Sequence, residues 1–372
     1  MHARMKKGIV IGFVLYLAFF LFFFVMKKDQ KFSPLENRAL ENRPILEKEA
    51  LFSGEFTASF ETYVADQFPL RDEMIAIKSN IERILGKKDR NGVFIGKDNH
   101  LIQDFKKPDM NLLKKNMGYI ETFAKVLPTY VMIAPTATKI WEEKLPKFAD
   151  PYDEGLVLQQ IQKQTTSAHF VDVLPVMERH SEESIYYKTD HHWTTRGAYY
   201  AYTAFCQAYG IEPLSLDQFE IEQASTKFYG TLFSKGNFTF VKPDTLEIFH
   251  RDGEEQVSVY DLNANEMKDS MYERRFLREK DQYGVFLNQN QPLLILRTDV
   301  ANGKKLMVVK DSYANCLIPF LTAHFAEIHV MDVRLLNLPL LDYAQAEGIS
   351  ETLILYNVQN FSEETRLSLL KY

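Results

Sequence analysis

Two cysteines, Cys206 and Cys316, are all that the 372 residues contain. They are too few for a disulfide scaffold and lack the paired spacing of a structural zinc site. Nor is there an excess of positive charge: 44 Lys and Arg stand against 50 Asp and Glu, a formal −6, which argues against a nucleic-acid binder. No internal repeat or low-complexity tract occurs. Glycine and proline, at 16 and 14, exclude a collagenous or Pro/Gly-rich disordered chain. What is present, with 46% hydrophobic residues, is a globular chain long enough for one large domain or two ordinary ones.

The charge is unevenly placed. Residues 1–31 hold six basic side chains (Arg4, Lys6, Lys7, Lys27, Lys28, Lys31) against Asp29 alone, which leaves the remainder at −11. Between the basic clusters runs Gly8 to Met26, 19 residues without a charge. At about 1.5 Å per residue it spans roughly 28 Å, near the ~30 Å of a bilayer core. It is apolar on every face and no small-x-small cleavage site follows, so it reads as an uncleaved signal anchor crossing once. Basic residues on both flanks leave its orientation open by the positive-inside rule.

Phe32 to Pro44 is polar and Pro-bounded and reads as a tether. Between 45 and 90, Phe56, Phe60, Val64 and Phe68 recur at helical spacing, and Ile75, Ile77, Ile81, Ile84 and Leu85 form a second stripe; both read as core-facing. From residue 92 short β-rich runs alternate with helical patterns, the sign of α/β layering. Strands are predicted at Val93 to Ile95, Thr129 to Ala134, His169 to Val173, Leu293 to Arg297, Lys305 to Val309, Glu327 to Met331 and Leu353 to Tyr356. The unbroken runs VMIA, LLIL, LMVV and LILY suggest parallel strands covered on both faces. Helices are predicted at Met110 to Val126, Tyr152 to Thr166 and Thr194 to Tyr209, the last capped by Thr194 and stopped by Gly210. Residues 212–290 read as a partly antiparallel insertion, with Asp252-Gly253 as a hairpin turn between EIFHR and EEQVSVY. The organisation is therefore 1–31 tip and anchor, 32–91 tether and helical segment, and 92–372 an α/β domain with its insertion.

Two segments carry reactive residue types. Tyr187-Lys188-Thr189-Asp190-His191-His192-Trp193 falls just before a helix, and Val309-Lys310-Asp311-Ser312-Tyr313 falls where a buried strand ends. Loops at the carboxyl edge of a parallel sheet are where α/β proteins place their sites. A serine at such a junction exposes its hydroxyl beside its own N–H, and attack on an ester then needs a histidine base and an orienting carboxylate. Ser312, His192 and Asp190 supply these groups, with His191 pointing elsewhere. Asp311-Ser312 also fits a plain helix cap. Asp190-His191-His192 also fits a turn anchored by Trp193, or two thirds of a metal site that lacks its third ligand. Tyr186, Tyr187 and Tyr313 adjoin the site, as sugar-stacking surfaces or as packing.

Thr189-Asp190-His191-His192-Trp193 reproduces the motif of the DHHW protein family. That group resembles the alginate O-acetyltransferases and, more broadly, the SGNH hydrolase superfamily. The likeness extends to Glu36-Asn37-Arg38, Ala134-Pro135 with Lys139, Lys310-Asp311-Ser312-Tyr313 and Ile354 to Phe361. It implies an SGNH-hydrolase-like parallel sheet flanked by helices, circularly permuted because Asp190 and His192 precede Ser312. It implies Ser312 as nucleophile, His192 as base and then acid, and Asp190 as orienting carboxylate, with no cofactor or metal. Lys310 stands where the superfamily has glycine, and could crowd the acyl pocket. By strand order Asn357, with Asn360 next, takes the place of the oxyanion asparagine beside the Ser312 N–H; Tyr313, Tyr187 and Lys139 are candidate substrate contacts. The implied activity is O-acylation, most simply O-acetylation, of a secreted or cell-surface polysaccharide, the acyl group being delivered by a multi-spanning membrane-bound O-acyltransferase to an extracytoplasmic domain held by residues 8–26. An esterase with the same triad and a non-catalytic export scaffold are the alternatives. The acidic surface leans toward a neutral or cationic glycan over an anionic one.

Overall fold

The computed structural model describes residues 2–371, with side chains from residue 5 onward; Arg4, counted above in the basic flank, lies outside the described side chains. The chain forms two compact units, one of Met1–Lys87 with Ser234–Phe240, the other of Lys88–Phe233 with Val241–Tyr372.

In the first unit the apolar run is one helix, His2–Met26. Within Met5–Met26 the most apolar 18-residue window has a mean hydropathy of 2.9 and no part of it is buried, so the helix is long and apolar enough to cross a membrane. The segment after it is not the loose tether its composition suggests. Phe32–Ser33 pairs antiparallel with Arg38–Ala39. Arg38 grips buried Asp66 through both terminal nitrogens, at 2.9 and 2.5 Å, and Arg71 reaches Glu36 at 2.6 Å. Bidentate ion pairing onto a buried carboxylate locks a backbone that its polarity alone would leave free. Helices Glu55–Gln67 and Arg71–Ile84 follow. Their apolar stripes were read as core, yet Ile77, Ile81, Ile84 and Leu85 are 51–81% exposed and Phe60 is 42% exposed. Periodicity marks an amphipathic face but not what covers it.

The second unit is built on an eight-stranded mixed sheet. Its strands in chain order are β1 (Thr129–Ala134), β2 (His169–Phe170), β3 (Ser258–Asp261), β4 (Glu266–Lys268), β5 (Leu293–Arg297), β6 (Lys305–Lys310), β7 (Glu327–Met331) and β8 (Glu351–Asn357). The spatial order is β4-β3-β5-β7-β6-β8-β1-β2. β7, β6, β8, β1 and β2 are parallel, whereas β5, β3 and β4 add on antiparallel. The expected all-parallel sheet is thus corrected at β5. Its Leu293 and Ile295 enter one core and Leu294 and Leu296 the other, so an unbroken apolar run reports burial on two faces, not direction.

One face of the sheet is covered by helix Thr195–Tyr209 with Trp193 and Phe320, the other by Met110–Ala124, Glu154–Gln164, Leu340–Glu347 and Val358–Glu363. Thr194 caps the first of these by accepting from Gly197 N–H at 3.2 Å, and Gly210 ends it. The insertion is antiparallel, but not at the expected turn. Asp244–Arg251 pairs back with Phe219–Phe228, and the chain after Gly253 goes on to supply β3 and β4, the edge of the main sheet. Val93–Ile95 is likewise a strand, in a separate three-stranded antiparallel sheet with Asp89–Arg90 and Leu101–Gln103.

Candidate active site

β6 runs apolar and buried to Lys310, and Asp311 then turns the chain into a short 3-10 helix, Ser312–Cys316. Asp311 is fully buried. Its Oδ1 accepts from Tyr313 N–H at 2.9 Å, while Oδ2 accepts from the Asn357 N–H, Asn357 Nδ2 and Asn360 Nδ2 at 3.0, 2.7 and 2.9 Å. Burial pushes the Asp311 carboxyl up against these donors. The arrangement ties the serine turn to the end of β8 and leaves Ser312 half-buried, its own N–H taken by no acceptor among the described residues.

The second segment is a loop closed by a bridge between Tyr186 and Trp193. Asp244 holds its base, accepting from the N–H groups of Lys188 and Thr189, both at 2.8 Å, and from the Thr189 hydroxyl at 2.6 Å. Within it Asp190 is buried. Oδ1 accepts from His192 N–H at 3.0 Å and meets His192 Nδ1 at 2.5 Å; Oδ2 accepts from Thr231 N–H at 2.7 Å and its hydroxyl at 3.0 Å. Burial opposes the Asp190 charge, but His192, His191 and these hydrogen bonds outweigh it and hold the carboxyl well below the usual carboxylate range. With Nδ1–H donated to Asp190, His192 Nε2 is left to accept from the Ser312 hydroxyl, 2.7 Å away. His191 instead meets Thr231 Oγ1 at 2.7 Å through Nδ1. Asp190, His191 and His192 offer metal-ligand atoms within 4.8 Å of one another. Both ring nitrogens of His192 are already engaged, however, so an ion there would have to displace the relay.

The chain matches the model of a family described as DHHW protein over residues 123–331. It belongs to the DHHW family. Its fold superposes on a DHHW family protein from Eubacterium siraeum DSM 15702, at 24% identity and a TM-score of 0.67 over 76% of this chain and 96% of that one. It also superposes on Bacillus cereus PatB1 carrying a sulfonyl adduct, at 18% identity and a TM-score of 0.63 over 74% and 97%. The O-acetyltransferase domain of Pseudomonas putida AlgJ aligns more loosely, at 18% identity and a TM-score of 0.48 over 74% and 94%. No curated protein matches the chain.

The remaining candidates of this DHHW protein fall differently. Asn357 aims its Nδ2 at Asp311 and caps helix Val358–Glu363 through Oδ1, which accepts from Asn360 N–H at 2.9 Å; Asn360 Nδ2 also donates to Asp311, so both amides brace the serine turn. Tyr187 and Tyr313 are fully buried and cannot meet a polymer. Tyr313 donates to the His191 carbonyl at 2.5 Å and its own carbonyl accepts from Trp193 Nε1 at 2.9 Å, so it braces the loop; Tyr186 likewise donates to the Pro135 carbonyl. Lys139 is paired with Glu142 at 2.7 Å. Lys310 carries its amino group to the side-chain oxygens of Asn290 and Asn315, both 2.7 Å away, and burial pushes its pKa down to about 8.

Two contributors lie outside both motifs. A Cβ on Gly230 would stand 2.2 Å from Asp190 Cβ and 2.3 Å from its Oδ2, so only glycine lets the backbone just before helix Thr231–Gly236 approach the carboxylate. Tyr283 stacks face to face on the His192 ring, centroids 3.9 Å apart and planes 10° from parallel, and its hydroxyl donates to the Ser312 carbonyl at 3.0 Å. Neither Gly230 nor Tyr283, 38 and 91 positions from His192, carries a local signal for the site.

Proposed function

We propose that this protein is a serine-dependent O-acyltransferase of SGNH type, acting as an O-acetyltransferase on a secreted or cell-surface polysaccharide. The observation that carries the reading is the unbroken relay from Asp190 through His192 to Ser312. Ser312 Oγ attacks the acyl carbonyl as its proton passes to His192 Nε2, and the imidazolium, stabilised by Asp190, returns that proton to the departing group. The acyl-serine is then attacked by a sugar hydroxyl, which gives its proton to His192 while Ser312 regains its own. The Ser312 N–H is the donor in place for the developing oxyanion. Chain order, with Asp190 and His192 ahead of Ser312, fits a circularly permuted SGNH arrangement. The apolar helix is an anchor that holds the domain outside the membrane, where a multi-spanning O-acyltransferase delivers the acyl group; tethering beside that partner raises effective concentration.

The test uses the full chain in detergent with an activated acetyl ester, with and without a neutral oligosaccharide. Acetylated sugar forms with wild-type protein, and Ser312→Ala lowers acyl release by about 10⁴-fold. Ester loss indifferent to sugar and without acetylated product would leave an esterase. Unchanged turnover in Ser312→Ala would remove the triad altogether.

A further inference from the structure

Within the first unit, the apolar helix and the helices after it are locked together closely enough to define a depth. Phe68, just past helix Glu55–Gln67, stacks on Phe20, with centroids 5.2 Å apart and planes 17° from parallel. Tyr63, more than a turn earlier, meets Phe24 edge-on at 5.8 Å. Polar contacts reinforce the register: the Tyr63 hydroxyl donates to Asp29 at 3.0 Å, and the Gln67 side chain accepts from the Gln30 N–H and donates to its carbonyl, each at 2.9 Å.

Phe20 lies six residues before Met26, so its level is about 9 Å inside the end of the helix, and helical side chains lean further toward the N-terminus. Phe68-Pro69-Leu70 shares that level. Either this loop enters the membrane, or Leu21 to Met26 leave it. The second arrangement would put Phe22, Phe23, Val25 and Met26 in water and shorten the uncharged span to Gly8–Phe20, about 20 Å against the ~30 Å of a bilayer core. The loop itself agrees with the first. Leu70 is 53% exposed and held at φ +59°, a left-handed backbone that leucine rarely adopts. Beside it a cleft has an apolar side of Phe19, Phe23, Pro69 and Leu70 and a polar side of Lys27, Gln30 and Arg71 with the acids Asp66, Asp72 and Glu73, the pairing of apolar and charged groups found where acyl chains give way to headgroups.

We propose that Phe68-Pro69-Leu70 is seated in the membrane beside the anchor, with lipid acyl chains in the cleft. The inference rests on the helix being an uncleaved anchor, and the test separates the two. In the full chain the native cysteines are buried, so nitroxide labels on Leu70→Cys, Phe13→Cys and Lys31→Cys report singly in phosphatidylcholine vesicles. At position 70, as at 13, collisions with oxygen should exceed those with a water-soluble nickel complex several-fold; at 31 the order should reverse. A label at 70 that follows 31 while 13 stays apolar overturns the seating and spares the anchor. Shielding from both reagents at 70 means that protein, not lipid, covers the loop, and also overturns it. A nickel-accessible label at 13 removes the anchor and the proposal together. As a check free of substitution, phosphatidylcholine with a diazirine in its acyl chain should form adducts with the wild-type peptide containing residues 68–70; adducts confined to the helix would contradict the seating.

Discussion

Gly230→Ala places a methyl where the Asp190 carboxylate now sits. The added Cβ would be 2.2 Å from Asp190 Cβ and 2.6 Å from Cγ, whereas carbon atoms in contact lie about 3.5 Å apart. One partner must therefore retreat by more than about 1 Å. Asp190 has little room to do so, since Thr231 binds one of its oxygens and His192 the other. A displacement of that size at a relay costs on the order of 10²-fold in rate, and full loss of the carboxylate's role about 10⁴-fold; Gly230→Ala should fall between these limits. Overpacking should also lower stability by about 1–3 kcal/mol, which leaves the fold intact for kinetics. The assay is acyl-ester turnover of Gly230→Ala, Asp190→Asn and the double variant, with urea denaturation of each. If the glycine acts through Asp190, the double variant is no slower than Asp190→Asn alone. Turnover within threefold of wild type, or losses that multiply in the double variant, would refute the reasoning.

Tyr283→Phe keeps the ring on His192 and removes only the hydroxyl's contacts with the Ser312 carbonyl and Cys316 Sγ, so turnover should fall less than about tenfold; Tyr283→Leu, which also removes the stacked ring, should fall further and shift the pH profile of kcat/KM, a change that simple loosening of the fold would not produce. Lys310 is held down to about 8 in the folded chain, against about 10.4 when unfolded. Between those values the unfolded chain binds the extra proton, so stability rises with pH across the window; the stability difference between wild type and Lys310→Met should move in favour of wild type from about pH 8 to 10, and a flat difference by urea denaturation at several pH values would contradict this. Asp311→Ala strands the buried Asn357 donors and leaves the half-buried Asn360 amide without its acceptor, and should destabilise by roughly 3 kcal/mol, seen as a lower urea midpoint.

Where contacts are local, residue order was a good guide. The cap at Thr194, the stop at Gly210 and the strands built on VMIA, LMVV and LILY are set within a few residues of themselves. The same reasoning failed where a neighbour remote in sequence decides. LLIL pairs antiparallel because β7 and β3 flank it. Ile77, Ile81 and Ile84 lie at the surface because, among the described residues, no element packs over them. Asn357 turns to Asp311 because β6 and β8 are adjacent in the sheet. Tyr187 and Tyr313, near the motifs in sequence, are buried as struts.

By itself, then, the sequence determined the kind of chemistry available: an apolar span of bilayer length, an α/β pattern, and a carboxylate, an imidazole and a serine in the neighbourhoods that acyl transfer uses. Asp190 and His192 stand two residues apart, so their pairing was legible from spacing. That His192 rather than His191 meets Ser312, 120 positions away, was decided only by the tertiary structure, as were the approach of Gly230 to Asp190, the Tyr283 ring on His192 and the stacking of Phe68 on Phe20. Side chains at fixed short spacing are bound by backbone geometry, whereas partners a hundred residues apart are brought together by strand order and core packing, which no local pattern records.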